Sequence, residues 1–339
     1  MVESKENKAS VDKIPKVSVI IPNYNAAALL ARCLDSLAAQ SEKDFETIVV
    51  DNGSEDESVH IAQKHPLKPR LIRLQENQGF SAAVNAGIDQ AQAELLAILN
   101  NDAAADPKWL EELVRGAEQN KEFDFFAALV LKADEQNKIE SAGVGYTVQA
   151  RPVPLFENAI IPGQIKSVEV FLASAAALLF RRSLIQKSGK FDPSYFAYLE
   201  DIDFFLRARL AAARGMLAPA AIVYHLGAGT DLGDKPAGKK MDSSQRVYLI
   251  ARNRWYLVWD NLPIGLIFLL APLIFLGWMR GLIYHLFLSG QISVFLAGSL
   301  KGFFSLPLRF KKRKAVKKLR TVKARELLAW MRKGFEELK

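Results

Sequence analysis

The chain has 339 residues, half of them hydrophobic, and 45 Lys+Arg against 37 Asp+Glu give a net charge of +8. Such a composition excludes a disordered or collagen-like chain, and the length supplies about two domains' worth of core. The single cysteine, Cys33, excludes an internal disulfide and a multi-cysteine zinc site, and the charged, polar start, unlike a secretion signal, predicts a cytoplasmic protein.

Val17–Ile21 is a short β-branched run with no break, as expected of a buried parallel strand. Pro22-Asn23-Tyr24-Asn25 follows, then an apolar-periodic helix from about Ala27 to Gln40. Thr47–Val50 is a second strand that ends in Asp51-Asn52-Gly53-Ser54, with Ser54 placed to cap a helix at about 55–65. Leu71–Leu74 and Leu95–Leu99 are further strands, with a helix over Ser81–Gln92 between them. Strands alternating with helices predict a mostly parallel sheet, whose ligands bind at the carboxyl ends of the strands.

Those ends carry Asn23 and Asn25, Asp51 and Asn52, Asn77, and Asn100 to Asp102. Any one alone reads as a turn former; four in succession point to a ligand site. No GxxxxGK[ST] loop and no GxGxxG after the first strand occur, which removes ATP hydrolysis and nicotinamide chemistry as leading ideas.

Further along, a helix is expected over Pro107–Gln119 and two buried segments within Val168–Phe180. Glu200-Asp201-Ile202-Asp203 sets three carboxylates just before an apolar-periodic helix. They read either as a capping cluster or as acceptor chemistry, since crowding and burial raise a carboxyl toward the range of a general base. His225 follows the strand-like Ala221–Tyr224, and a lone histidine there is either structural or a ligand. Residues 226–245 hold four glycines and little periodicity, as a mobile loop would.

The charge is uneven. Residues 301–339 contain fourteen Lys/Arg and three Glu, so the rest of the chain is mildly acidic. Just upstream lie two uncharged stretches, 261–279 and 281–300, separated by Arg280. They read as membrane-embedded broken helices, with Pro263 and Pro272 as the breaks, or as a hairpin with Arg280 at the far turn, or as buried helices of a soluble body. The basic run beside them suits an anionic leaflet, with Trp255, Trp259 and Trp278 as anchors. Val316, Leu319 and Val322 sit at a spacing that suits lipid.

The strings VSVIIPNYN, IVVDNGSEDES, ENQGFSAAVNAGI and LAILNND, followed by YLEDIDFFLRARLA and VYHLGAGT, resemble the family-2 glycosyltransferases in content and order over about residues 16–255. The resemblance implies an α/β GT-A catalytic domain, Rossmann-like with a mostly parallel sheet, followed by a helical membrane-associating region. It divides the chain into a flexible 1–15, a nucleotide-sugar half at 16–105, an acceptor half at 106–245 and the helical part at 246–339. It places Pro22, Asn23 and Asn25 around the nucleoside, Asp51 on the nucleobase or ribose, and Asn77, Gly79, Asn85 and Asn101 in the donor site. Asp102, with His225, would hold Mn²⁺ or Mg²⁺, although Asn100 stands where the commoner Asp-x-Asp motif has its first aspartate. Asp201 would be the general base, with Glu200 and Asp203 holding acceptor hydroxyls or tuning it and Arg207 paired to one of the acids. One displacement with no second nucleophile implies inversion.

Within the family the chain is most similar to bacterial rhamnosyltransferase-like members. That implies transfer of rhamnose from dTDP-rhamnose to a polyprenyl-diphosphate-linked saccharide or surface glycan. The work would take place at the cytoplasmic face of the inner membrane, with residues 261–325 on the anionic surface and no nucleic acid involved. The alternatives are a glucosyl- or galactosyl-type transferase, a catalytically inactive nucleotide-sugar-binding protein, and a nucleic-acid binder through 309–325. Asp51, Asp102 and Asp201 count against inactivity, and Ala251, where a QxxRW-type polymerase has Gln, counts against a polymerase.

Overall fold

The computed structural model describes residues 13–161, 165–226 and 242–336. Strands β1 (Val17–Asn23), β2 (Phe45–Asp51), β3 (Arg70–Arg73) and β4 (Leu95–Leu99) alternate with helices α1 (Ala27–Ala38), α2 (Ser58–Lys64) and α3 (Phe80–Gln90). Next come β5 (Ala103–Ala105), α4 (Trp109–Gln119), β6 (Phe125–Lys132), β7 (Ile139–Ser141), β8 (Val144–Tyr146), β9 (Pro152–Pro154), β10 (Glu169–Val170) and β11 (Ala177–Arg181). After α5 (Ser183–Ser188), α6 (Glu200–Leu210) and β12 (Gly215–His225) the chain is helical: α7 (Ser243–Asn261), α8 (Ile264–Phe287), α9 (Ile292–Phe304), α10 (Phe310–Leu319) and α11 (Ala324–Glu336).

The main sheet runs β10-β12-β6-β11-β4-β1-β2-β3. Its β4-β1-β2-β3 half is parallel, and β11 enters antiparallel between β4 and β6. Val19 and Ile21 point to the face covered by α1 and α4, while Ile20 points to the face covered by α3 and α6. Burial on both faces is why β1 reads as an unbroken apolar run rather than an alternating one. Register then lines up the polar ends: Asn23 pairs with Asp51, and Asp51 with Arg73.

Two local expectations change. Helix α2 starts at Ser58, because the Ser54 hydroxyl accepts the Asn25 N–H at 2.9 Å instead of capping it. Helix α8 runs unbroken for 24 residues through Pro272, so Arg280 lies inside the helix and the reversal falls between Phe287 and Ile292. Proline removes one bond of the helical ladder, and the rest of the helix bridges that loss. Among the described residues α8 is the one helix long and apolar enough to cross a membrane, by length and composition, and only 17% of its most apolar window is buried.

The basic tail is anchored in the body. Arg309 Nε donates to Asp260 Oδ1 at 3.1 Å, Nη1 to Ser194 Oγ at 2.7 Å and Nη2 to Asp192 Oδ2 at 3.0 Å, with the guanidinium 3.9 Å over the Tyr256 ring. Lys312 Nζ lies 3.0 Å from Asp192 and 3.5 Å from Asp203. Val316 is buried and faces the core. Of the expected anchors, Trp255 meets Phe303, Trp259 meets Phe310 and Trp278 meets Phe295, so all three take up contacts between helices.

Candidate active site

Four strand ends converge, and a hydrogen-bonded path joins them. Asn101 Nδ2 donates to Asn23 Oδ1 at 2.8 Å, and Asn23 stands opposite Asp51 in the ladder. Asn25, at φ +46°, turns its Oδ1 to the Glu55 N–H, while Ser54 Oγ holds both Asn25 N and Asn23 Nδ2. Pro22 lies in β1 opposite Val50. Asp51 is buried; its Oδ2 accepts from Ser54 N at 3.2 Å, and its Oδ1 has no partner. A buried carboxylate oxygen left unsatisfied is costly, so an outside donor is the natural completion of this site.

From Asn101 the path reaches the acids. Asn100 N donates to Ala176 O, and Ala175 N donates to Asp201 Oδ2 at 3.1 Å. Asp201 and Glu200 open helix α6, and burial raises both carboxyls above the ordinary range. The neighbouring Asp201 charge raises Glu200 further, whereas main-chain N–H donors temper Asp201. The loop that delivers them is held against its own preference: Phe196, Tyr198 and Leu199 have φ of +65°, +66° and +70°. Asn253 of α7 clamps it, donating from Nδ2 to the carbonyls of Tyr195, Ala197 and Tyr198. Strain of this kind persists only where the surroundings over-determine it.

Arg207 pairs with one of the acids, Asp203, on the side of α6 away from Asp201. Two positions along a helix turn the side chain through about 200°, so Asp203 points opposite to Asp201. There it is fully buried, receiving Arg207 Nε at 2.9 Å and Asn261 Nδ2 at 2.9 Å. Burial pushes Asp203 up, but the Arg207 and Lys312 charges outweigh it and hold the carboxyl below the usual range. Arg207 spends its other donors on the carbonyls of Ser188 and Lys190.

Three expected donor residues also turn out to shape loops. Gly79, at φ +86°, makes room for the Phe196 main chain, against which a methyl would clash. Asn77 Oδ1 accepts from Asn52 Nδ2 and Gly79 N. Asn85 engages both polar groups of the Phe191 main chain.

His225 and Asp102 do meet. Strand β5 runs antiparallel to the end of β12, pairing Ala103 with His225, and brings His225 Nε2 to 3.0 Å from Asp102 Oδ1. Glu140, on β7, holds the other ring nitrogen at 2.8 Å and was not singled out by the sequence, where it sits in no motif. Although burial opposes the charge, the two carboxylates raise His225 to about 10. A carboxylate and an imidazole nitrogen suit a divalent ion by their chemistry, and here the two lie at hydrogen-bond distance. A carboxylate behind a ligating imidazole is the usual way its ring is oriented. No group of three or more candidate ligands occurs among the described residues. Most of the glycine-rich loop at 226–245, expected to close over the donor, lies outside the described residues.

Comparison with known proteins bears on this geometry. Residues 18–187 match the sequence model described as "Glycosyl transferase family 2". The chain is 27% identical over 202 residues to a putative glycosyltransferase, EpsH, of Bacillus subtilis (58% of this chain, 57% of EpsH). It is also 27% identical over 242 residues to an uncharacterized glycosyltransferase, EpsJ, of the same organism (66% of this chain, 65% of EpsJ). The match thus spans less than two thirds of either relative. Among solved structures, S. aureus TarS 1-349 superposes with a TM-score of 0.55 at 19% identity, covering 94% of this chain and 87% of that one. GalNAc-T7 with UDP, GalNAc and Mn²⁺ gives 0.55 at 15%, covering 74% and 48%. At such identities these neighbours speak to the GT-A fold alone.

Proposed function

Since this chain belongs to glycosyl transferase family 2, we propose that it is a metal-assisted inverting transferase that moves a hexose from a nucleotide diphosphate to a lipid-linked saccharide at a membrane surface. The reading is supported by the hydrogen-bonded run from Asn23, beside Asp51 with its unpartnered Oδ1, through Asn101 to the Ala175–Ala176 main chain that holds Asp201. In it, residues 16–105 form the donor half, 106–245 the acceptor half and 246–339 the membrane-facing part. Asp51 accepts a hydrogen bond from the nucleobase or ribose, with Pro22, Asn23 and Asn25 shaping the pocket. Asp201 takes the acceptor hydroxyl proton and Glu200 positions the acceptor. Asp102 and His225 would hold Mn²⁺ or Mg²⁺, which when bound neutralises charge on the diphosphate. The sugar is proposed to be rhamnose from dTDP-rhamnose.

A panel of nucleotide sugars assayed with Mn²⁺ and a polyprenyl-linked saccharide tests this. Turnover of dTDP-rhamnose alone supports it in full, and turnover of a UDP-hexose instead replaces the sugar. Absence of both binding and turnover for every donor would overturn the enzyme reading.

Membrane apposition has its own check. Helices α8 and α9 expose Phe268, Leu269, Phe287, Phe303 and Phe304, next to the basic α10. Each Lys or Arg near an anionic leaflet contributes about 1 kcal/mol, which salt screens, whereas apolar insertion survives salt. Full-length protein on anionic vesicles should therefore be loosened by about 1 M NaCl, at which the Debye length falls to about 3 Å, and released completely only by detergent. Complete release by salt would place α8 and α9 outside the bilayer.

A further inference from the structure

Arg254 contributes the one charged side chain to the wall of a cavity of about 350 Å³ between α7, α8 and α9, lined otherwise by apolar groups such as Trp255, Val258, Ile274, Trp278 and Phe295. Its guanidinium reaches α8 where two glycines one turn apart leave space. A methyl at Gly277 would stand 3.4 Å from Nη2, and one at Gly281 4.0 Å from Nη1. Arg151, just before β9, and Arg280, next to Gly281, are exposed residues outside the cavity wall, and the charge of Arg151 acts on Arg254 as that of Arg280 acts on Arg151. Burial and then the Arg151 charge push Arg254 down to about 10, and burial and then Arg280 push Arg151 down. Among the described residues no carboxylate is ion-paired or hydrogen-bonded to any of the three. Tyr146, near enough for the Arg254 charge to act on its phenol, is fully buried with its hydroxyl unpartnered.

Arg254 is half-buried, and withdrawing a guanidinium from water with no counter-ion is unfavourable, the more so beside like charges. An anion from outside completes the group. The remaining wall is apolar, and Phe275, which also lines the cavity, is exposed on the same face as Phe268 and Leu276. The missing ligand therefore has an anionic head and an apolar chain that leaves toward the lipid-facing side.

We propose that this hollow binds the phosphate head of a polyprenyl phosphate or diphosphate, with Arg254 on its oxygens, the charges of Arg151 and Arg280 outside the wall favouring the anion, and Trp255, Trp278 and Phe295 on the first part of its chain. The proposal deepens, and rests on, the reading of a lipid-linked acceptor. Two routes through main chain and hydrogen bonds tie the hollow to the acids. Asn253, the neighbour of Arg254, clamps the loop that delivers Glu200 and Asp201. The strand carrying Tyr146 bridges from Val144 to Leu172, three residues before Ala175, whose N–H holds Asp201.

Farnesyl diphosphate, titrated into the full-length protein in mild detergent, is the probe, with emission of Trp255 and Trp278 as the readout. A saturable change is expected, with farnesol and inorganic diphosphate each about 10-fold weaker or more, because each lacks one half of the interaction. Arg254→Gln should weaken farnesyl diphosphate by about 10-fold or more, with Arg254→Lys between. The unliganded Gln variant should melt no lower than wild type, since it removes a charge that has no partner, and its affinity for UDP or dTDP should be unchanged. Should Arg254→Gln fail to fold, Arg280→Gln, on the exposed side of α8, carries the same titration and should show the same direction of effect. Wild-type binding in the variant, or equal binding of inorganic diphosphate and farnesyl diphosphate, overturns the lipid site. Arg254-dependent binding without transfer from any nucleotide sugar leaves the lipid site standing and removes the transferase reading; transfer to a polyprenyl-linked saccharide without farnesyl diphosphate binding does the reverse.

Discussion

Asp201→Asn should lower sugar transfer by about 10²–10⁴ while leaving nucleotide-sugar affinity within a few-fold of wild type. The carboxylate is joined to the donor end only through main-chain atoms: Oδ2 accepts from Ala175 N and Oδ1 from Ile202 N. An amide of the same shape keeps an oxygen for one of these donors and loses the capacity to take a proton. The pH profile separates a base from a merely structural acid. Burial raises the Asp201 carboxyl, so in wild type activity should fall as pH drops through a value above the usual carboxylate range, about 3.9. The Asn variant should lack that limb. Near-normal turnover in the variant would move the role to Glu200, whose Oε2 is buried without a partner. Asp203 is no substitute, since Arg207 and Asn261 hold it in the interior.

Asp102→Ala should abolish the part of donor affinity that depends on Mn²⁺, so that calorimetry of the nucleotide with metal gives the value seen with EDTA. Loss of a ligand exceeds the roughly 10–100-fold that loss of a supporting group produces. His225→Ala should give a smaller defect, and Glu140→Gln, which only reorients the imidazole, a smaller one still. Metal must also displace the proton that the two carboxylates stabilise on His225, so Mn²⁺ affinity should rise with pH. If EDTA leaves wild-type binding untouched, the metal reading fails, and Asn100 and Asn101 become the direct ligands of the donor.

The parallel half of the sheet was plain in the sequence for a physical reason. Strands covered on both sides carry no polar alternation, so Val17–Ile21 and Leu95–Leu99 stand out, and the polar residue after each strand marks an end of the sheet. The Asp102–His225 pair followed from resemblance, and β5 against β12 supplies the geometry behind it. Glu140 was out of reach, because its partner is 85 residues away and β7 is three residues long. The inward turn of Asp203 was within reach of the helical period, which separates it from Asp201 by about 200°. Gly79 shows the limit of reading a glycine: close approach is required, and the neighbour is the chain's own Phe196 rather than a ligand. Pro272 shows the same for a helix breaker, since local preference yields to the continuity of a long apolar helix.

The contacts of Arg309 and Lys312 bear on how members of this family can be recombined. Asp260 and Asp203 have fully buried side chains, and part of their neutralisation comes from residues on the far C-terminal side of the apolar helices. The terminal helices are thus no detachable cassette. A chimera that exchanges them with those of a relative, or a truncation placed before Arg309, strands carboxylates in the interior, where loss of one partner of a buried pair costs about 3–5 kcal/mol. A crossover just beyond Arg313 keeps its bonds to the carbonyls of Trp259 and Leu262 but still takes Val316, Leu327 and Met331 out of the core. Any graft that begins earlier has to carry Asp192, Asp203 and Asp260 with it as one inherited set.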